Sequence, residues 1–183
     1  AAQASVHAGA DFLGFNFVPE TTRTISVGKA KEIAQAIKGK VQTVGIFQNA
    51  PLAIVNAIID ELKLDFVQLH GSESVAYCKN VATRVIKKIS VSQHDTFVAY
   101  DVSYFLFDRN KKDDVPLDFE KVRRIGKEKQ FFLAGGLTAA NVRSYIEQVH
   151  PFGVDVARGI ETNGREEIEK IVAFVQAAKG GQL

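Results

Sequence analysis

The chain lacks methionine altogether and carries a single cysteine, Cys78, among its 183 residues. One cysteine excludes an intrachain disulfide and agrees with a reducing, cytoplasmic setting. No run of about 18 apolar residues is present, so no segment reads as a membrane-spanning helix. The N-terminus shows no charged-then-apolar leader either. Neither sign of charge predominates: 23 Lys and Arg against 21 Asp and Glu leave a formal net charge of +2. That balance argues against a nucleic-acid or membrane partner. The missing methionine, with the opening Ala1-Ala2-Gln3, predicts that the natural polypeptide extends beyond this stretch.

What is present is an apolar core of one domain's size, 46% of the 183 residues being hydrophobic, which suits a single domain over 1–183. Short apolar, β-branched or aromatic runs alternate with longer amphipathic segments. The runs at 10–17, 41–47, 65–70, 84–91, 103–108, 130–135 and 152–157 read as seven strands buried on both faces. Helices are expected at 1–9, at 27–38 after Ser26 as cap, at 51–62 with proline in the first turn, at 138–149 and at 165–179. No linker or low-complexity tract divides the chain.

Repeated β/α units with seven strands fit an open doubly wound sheet or a barrel. No G-x-G-x-x-G follows the first run, as the open sheet's phosphate fingerprint would. The glycines gather instead after the last two runs, where phosphate sites of (β/α)8 barrels lie. The sequence therefore predicts an α/β (β/α)8 barrel, with one strand upstream of Ala1.

Five constellations carry chemistry. Gly135-Gly136 ends a strand and precedes a helix, so backbone N–H groups and a helix N-terminus would face an anion. Asp155, Ala157, Arg158 and Gly159 form a second polar turn after the last strand. Two such turns side by side are the halves of a phosphate clamp, although Asp155 also suits a structural role capping N–H groups. Asp108 follows four apolar residues at a strand end, where partial burial suits a general acid; a helix cap or ion-pair partner is the plainer alternative. Arg23 lies in the polar loop 19–26 and has the fork to grip a carboxylate, though a surface arginine would look the same. Gln68 and His70 bring polar side chains to another strand end, as ligand contacts or as hydrogen-bonded structural residues.

In order along the chain, Gly9-Ala10-Asp11-Phe12-Leu13-Gly14-Phe15, Thr22-Arg23-Thr24-Ile25-Ser26, Val44-Gly45-Ile46-Phe47, Gln68-Leu69-His70-Gly71, Val85-Ile86-Lys87, Phe105-Leu106-Phe107-Asp108, Leu133-Ala134-Gly135-Gly136-Leu137-Thr138 and Gly153-Val154-Asp155-Val156 resemble phosphoribosylanthranilate isomerase of tryptophan biosynthesis. The resemblance spans essentially the whole chain. It implies an Amadori rearrangement of an aminoaldose to an aminoketose by general acid and base, without cofactor or metal. It further implies Asp108 as the acid, Arg23 on the anthranilate carboxylate, and Gly135, Gly136 and the Asp155–Gly159 turn on the phosphate. The implied partner is a small phosphorylated substrate. A monomer or homodimer is expected, with fusion to or association with other tryptophan-pathway enzymes open.

Three departures accompany the resemblance. The family's general base is a cysteine in a Lys-x-Cys-Gly segment of the first strand, and no such segment occurs here; Cys78 lies away from any strand mouth and is not assigned that role. Residues 109–116 replace the usual glycine-rich loop after the acid, and Ala157-Arg158-Gly159 replaces a small turn that often contains serine. Two alternatives therefore stand beside the isomerase: a truncated or non-catalytic phosphate-binding barrel, and another sugar-phosphate barrel enzyme such as indole-glycerol-phosphate synthase.

Overall fold

The computed structural model describes residues 1–89, 99–108 and 119–180. The 109–116 loop and the last two positions of the run at 84–91 lie outside the described residues.

Strands β1 (Phe12–Asn16), β2 (Gln42–Phe47), β3 (Phe66–Leu69), β4 (Arg84–Ile89), β5 (Tyr104–Asp108), β6 (Phe131–Ala134) and β7 (Gly153–Val154) form one parallel sheet in chain order. Around it run α1 (Ala2–His7), α2 (Val27–Ala36), α3 (Leu52–Leu62), α4 (Val75–Lys79), α5 (Phe119–Gly126), α6 (Val142–Val149) and α7 (Ile168–Ala178). Every strand returns through a crossover, so all the C-terminal strand ends open on one face.

The sheet is curled. Phe12 on β1 meets Phe132 on β6 edge-on at 5.2 Å and Phe66 on β3 at 5.6 Å, contacts that a flat sheet of this order would forbid. Val44, Phe66, Ile86, Leu106, Phe132 and Ala134 fill the enclosed side, while Phe15, Phe47, Val67, Leu69, Val85, Phe105, Phe107, Phe131 and Leu133 pack outward under the helices. This period-2 division explains why the strands read as continuous apolar runs. At the floor, Tyr104 stacks on Phe152 at 4.5 Å and meets Phe132 at 5.2 Å, closing the base with aromatic rings. The architecture is that of a (β/α)8 barrel, with seven strands in its barrel sheet among the described residues.

β1 and β7 are the sheet's edges, and Gly14 on β1 is accordingly exposed, so the expectation of strands buried on both faces holds for β3 and β6 but not there. Helix α1 packs on α7 across this seam, and Lys179 Nζ meets Asp11 Oδ1 at 3.2 Å below it.

Local chemistry sets the helix boundaries. Ser26 accepts the Lys29 N–H and caps α2, and Ser74 does the same for α4 through Tyr77. The helix expected at 138–149 begins only at Val142. Asn141 accepts the Thr138 N–H at 2.8 Å and donates to the Gly136 carbonyl at 3.1 Å, converting the first residues into a closed turn. The helix expected from 165 begins at Ile168, because Arg165–Glu166 forms β9, the partner of β8 (Glu161–Thr162) in a hairpin. Its two-residue loop is Asn163-Gly164, both with positive φ (51° and 77°), a combination this pair supplies at low cost.

Outside the barrel interior, Lys87 and Glu73 form a buried ion pair of 2.7 Å, with side chains 3% and 1% exposed. Lys87 also donates to the Gly71 carbonyl at 2.6 Å, and Glu73 Oε1 accepts the backbone N–H groups of Asn49 (2.8 Å) and Gly71 (3.2 Å). The network ties β4 to the loops that follow β2 and β3.

Candidate active site

The inward-facing positions at the C-terminal ends of the strands converge on one mouth. β3 contributes Gln68, with His70 just beyond it; β4 contributes Lys88, β5 Asp108, and the segment after β7 Asp155. Gln68 Nε2 donates to Asp155 Oδ2 at 3.1 Å across the barrel, and Gln68 Oε1 lies 2.7 Å from His70 Nε2. A carboxylate only accepts, so it orients the amide, and the amide oxygen in turn requires the proton on His70 Nε2. His70 Nδ1 is then an acceptor.

Burial lowers the His70 pKa from its ordinary 6.5; Asp155 opposes that shift and Lys88 adds to it. The imidazole is neutral at physiological pH, in agreement with the tautomer that Gln68 demands. Asp108 pairs with Lys88 at 2.9 Å (Nζ to Oδ2), both about a third exposed at 27% and 31%.

The two glycine turns meet beside this row. Gly135 and Gly136 have φ of 93° and 69°, values that L side chains rarely adopt. Gly159 lies in a single 3₁₀ turn, Arg158–Ile160, and a Cβ there would fall 1.9 Å from the Leu137 carbonyl oxygen. Direct backbone contact thus locks the turn after β7 onto the turn after β6. Gly159→Ala is expected to push the two turns apart, weakening inorganic phosphate binding about tenfold or more while the protein still folds. Isothermal titration with phosphate and circular dichroism check this, and unchanged affinity would separate the turns from the anion. Because α6 starts at Val142, the positive helix end expected just after Gly136 is displaced from that turn. Ala157 and Arg158 are exposed, and Arg158 is close enough to Glu161 to help hold its carboxylate charged.

Arg23 lies in the loop after β1, across the seam from the turn that follows β7. Its loop is pinned by Thr24 Oγ1, which donates to the Val18 carbonyl at 2.6 Å, and by Asn16 Oδ1, which accepts the Val18 N–H at 2.9 Å. The guanidinium grips Glu161 in a two-point fork, Nε to Oε1 at 2.5 Å and Nη2 to Oε2 at 2.8 Å. This hydrogen bond lowers the Glu161 pKa below its ordinary 4.5 and raises that of Arg23. The fork read from sequence as a ligand grip is therefore engaged by an internal carboxylate, which aims it and leaves Nη1 as its remaining nitrogen.

The structure brings together Asp108, Gln68, His70 and Asp155, and joins Arg23 to the hairpin that follows Ala157, Arg158 and Gly159. Sequence reading missed Lys88 and the role of Glu161. Alternation from the apolar Ile86 would have pointed Lys88 inward, and the Asn163-Gly164 pair would have signalled the hairpin carrying Glu161. Cys78 is buried in α4 against the outer core, and burial raises its thiol pKa, the reverse of what a base needs. Among the described residues no group of three or more His, Cys, Asp or Glu could hold a metal ion, and no helix is long and apolar enough to cross a membrane.

Residues 1–177 match the family model described as N-(5'phosphoribosyl)anthranilate (PRA) isomerase. The chain belongs to the N-(5'-phosphoribosyl)anthranilate isomerase family. It is 37% identical to the N-(5'-phosphoribosyl)anthranilate isomerase of Pelobacter propionicus, over 96% of this chain and 88% of that one. The crystal structure of phosphoribosyl anthranilate isomerase from Thermotoga maritima superposes with a TM-score of 0.87 at 30% identity, covering 98% of this chain and 93% of that one. A structure of the isomerase in complex with reduced 1-(o-carboxyphenylamino)-1-deoxyribulose 5-phosphate gives 0.86 at 31% identity, over 98% and 92%. The family assignment disfavours the indole-glycerol-phosphate synthase alternative.

Proposed function

We propose that this mouth isomerises N-(5'-phosphoribosyl)anthranilate to 1-(2-carboxyphenylamino)-1-deoxyribulose 5-phosphate, with Asp108 as general acid. Family membership supports the reaction, and the observation that carries the residue assignment is Asp108 facing inward at the mouth beside the joined glycine turns. Asp108 protonates the ribose ring oxygen, the C1′–O bond breaks, and the anilino nitrogen lone pair forms the iminium. A base then takes the C2′ proton, and the enolamine tautomerises to the ketone. In the family that base is a cysteine of a Lys-x-Cys-Gly segment, which does not occur among these 183 residues. Gly135, Gly136 and the turn of Asp155, Ala157, Arg158 and Gly159 receive the phosphate, through backbone N–H groups and the nearby Arg158 charge. Arg23 receives the anthranilate carboxylate, while Gln68 and His70 contact the sugar. The setting is a cytoplasmic enzyme acting on a small molecule, as monomer or homodimer.

The test is to incubate the full-length protein with the aminoaldose and follow the ketone carbon by ¹³C NMR. Ketone formation is expected, and its absence would sink the reading. Arg23→Met is expected to raise KM about tenfold or more, since a charged hydrogen bond contributes ~1.5–3 kcal/mol. An unchanged KM would remove Arg23 from the carboxylate.

A further inference from the structure

We infer that Lys88 is a positioning residue for the proton donor. It holds the Asp108 carboxyl in its donating orientation and opposes the negative charge left there when the proton departs. The inference rests on the reading of Asp108 as general acid.

The argument begins with strand alternation. Lys87 is committed to the outer side by its buried pair with Glu73, and Ile89 belongs to the outer core. Ile86 lies in the barrel interior. Lys88 must therefore share the face of Ile86, and its ammonium emerges at the mouth 2.9 Å from Asp108 Oδ2. β4 and β5 are paired neighbours in which Lys88 lies opposite Leu106, so Asp108, two residues further on, is the next inward position. Two adjacent inward side chains of opposite charge have little freedom to miss one another.

Lys88 is the cation of a mouth otherwise lined, among the described inward positions, by the neutral pair of His70 and Gln68 and the carboxyls of Asp108 and Asp155. Its charge reaches His70, where it favours the neutral imidazole. A proton donor that becomes an anion during the reaction is best served by a fixed positive charge already in place, because no solvent then has to reorganise. The two side chains remain about a third exposed, so as a structural ion pair they would contribute little to folding. The geometry makes sense chiefly in terms of the reacting carboxyl. The proton itself passes from Asp108 to the ring oxygen; Lys88 neither gains nor loses one.

The experiment compares Lys88→Met, Lys88→Gln and Lys88→Arg in the full-length enzyme. The readouts are single-turnover rate, KM, product binding and thermal unfolding. For Met and Gln the single-turnover rate is expected to fall about tenfold or more, with KM and product affinity within about twofold and unfolding unchanged. Arg is expected to restore most of the rate. A rate near wild type in Met and Gln would overturn the inference. So would a raised KM with unchanged rate, which would make Lys88 a substrate contact, or a loss that tracks unfolding. Asp108→Asn run alongside separates the two readings: if it turns over normally, the assignment of the acid fails; if it is inactive while the Lys88 variants are normal, only the role of Lys88 fails.

Discussion

Asp108→Asn is expected to cut turnover by about 100- to 10,000-fold while binding of the product or of inorganic phosphate changes little. The range is that of general acid catalysis removed from an otherwise intact site. Asparagine matches the shape of the carboxyl and keeps an oxygen for Lys88, but its amide N–H is far too weak an acid to transfer a proton to the ring oxygen. The phosphate turns are anchored elsewhere, through Gly159 against Leu137 and Asn141 against Gly136 and Thr138, so they do not depend on the Asp108 charge. Steady-state kinetics with titration of the product decides the matter. Turnover within a few-fold of wild type would exclude Asp108 as the acid, and a parallel loss of binding would mark it as a ligand contact instead.

Lys87→Met is expected to destabilise the protein by about 3–5 kcal/mol, the typical cost of leaving one partner of a buried pair without the other. For a chain of this size that lowers the unfolding temperature by roughly 6–20 °C. The loss exceeds that of any surface pair here, because Glu73 and Lys87 are almost wholly shielded from water. Burial pushes the Glu73 pKa up, but the Lys87 hydrogen bond and the Asn49 amide outweigh it, so the net shift is downward from 4.5. The unfolded chain then binds the proton more readily than the folded one. The stability Glu73 contributes is present above pH 4.5 and is lost as pH falls through the lower folded value. Urea denaturation at neutral and acid pH measures both effects. A loss below about 1 kcal/mol at pH 7 would mean that the pair behaves as a surface pair.

Much of the barrel could be read in advance because a two-sided burial requirement leaves a plain mark. The Phe131–Ala134 strand and the Ser26 cap depend only on neighbours in sequence. Asp108 and the glycine turns were legible for the same reason: strand ends and positive-φ positions are local. The misreadings share a different cause. Asn141 shortens α6 through side-chain bonds that compete with the helix, and no periodicity reports that competition. Arg165 and Glu166 look like a first helical turn until Glu161 and Thr162 are seen opposite them. Lys87 and Lys88 in succession resemble a solvated strand end. Their opposite fates follow from Glu73, in the segment after β3, and Asp108, on β5, each brought close by the pairing of β4 with its neighbouring strands. Arg23 and Glu161 lie 138 positions apart, beyond the reach of any local pattern.

That last contact bears on how the site comes into being. The seam between β1 and β7 is clasped at the mouth by Arg23 and Glu161 and at the base by Asp11 and Lys179. Closing so long a loop costs more chain entropy than closing a short one, so the clasp is favoured once the units between have folded. The proposed carboxylate grip, Arg23, comes from the early part of the chain and the proposed phosphate turns from its end, so a half-folded intermediate would hold one or neither. A ligand spanning both would recognise only the clasped seam, and its affinity would double as a gauge of how completely that seam has formed.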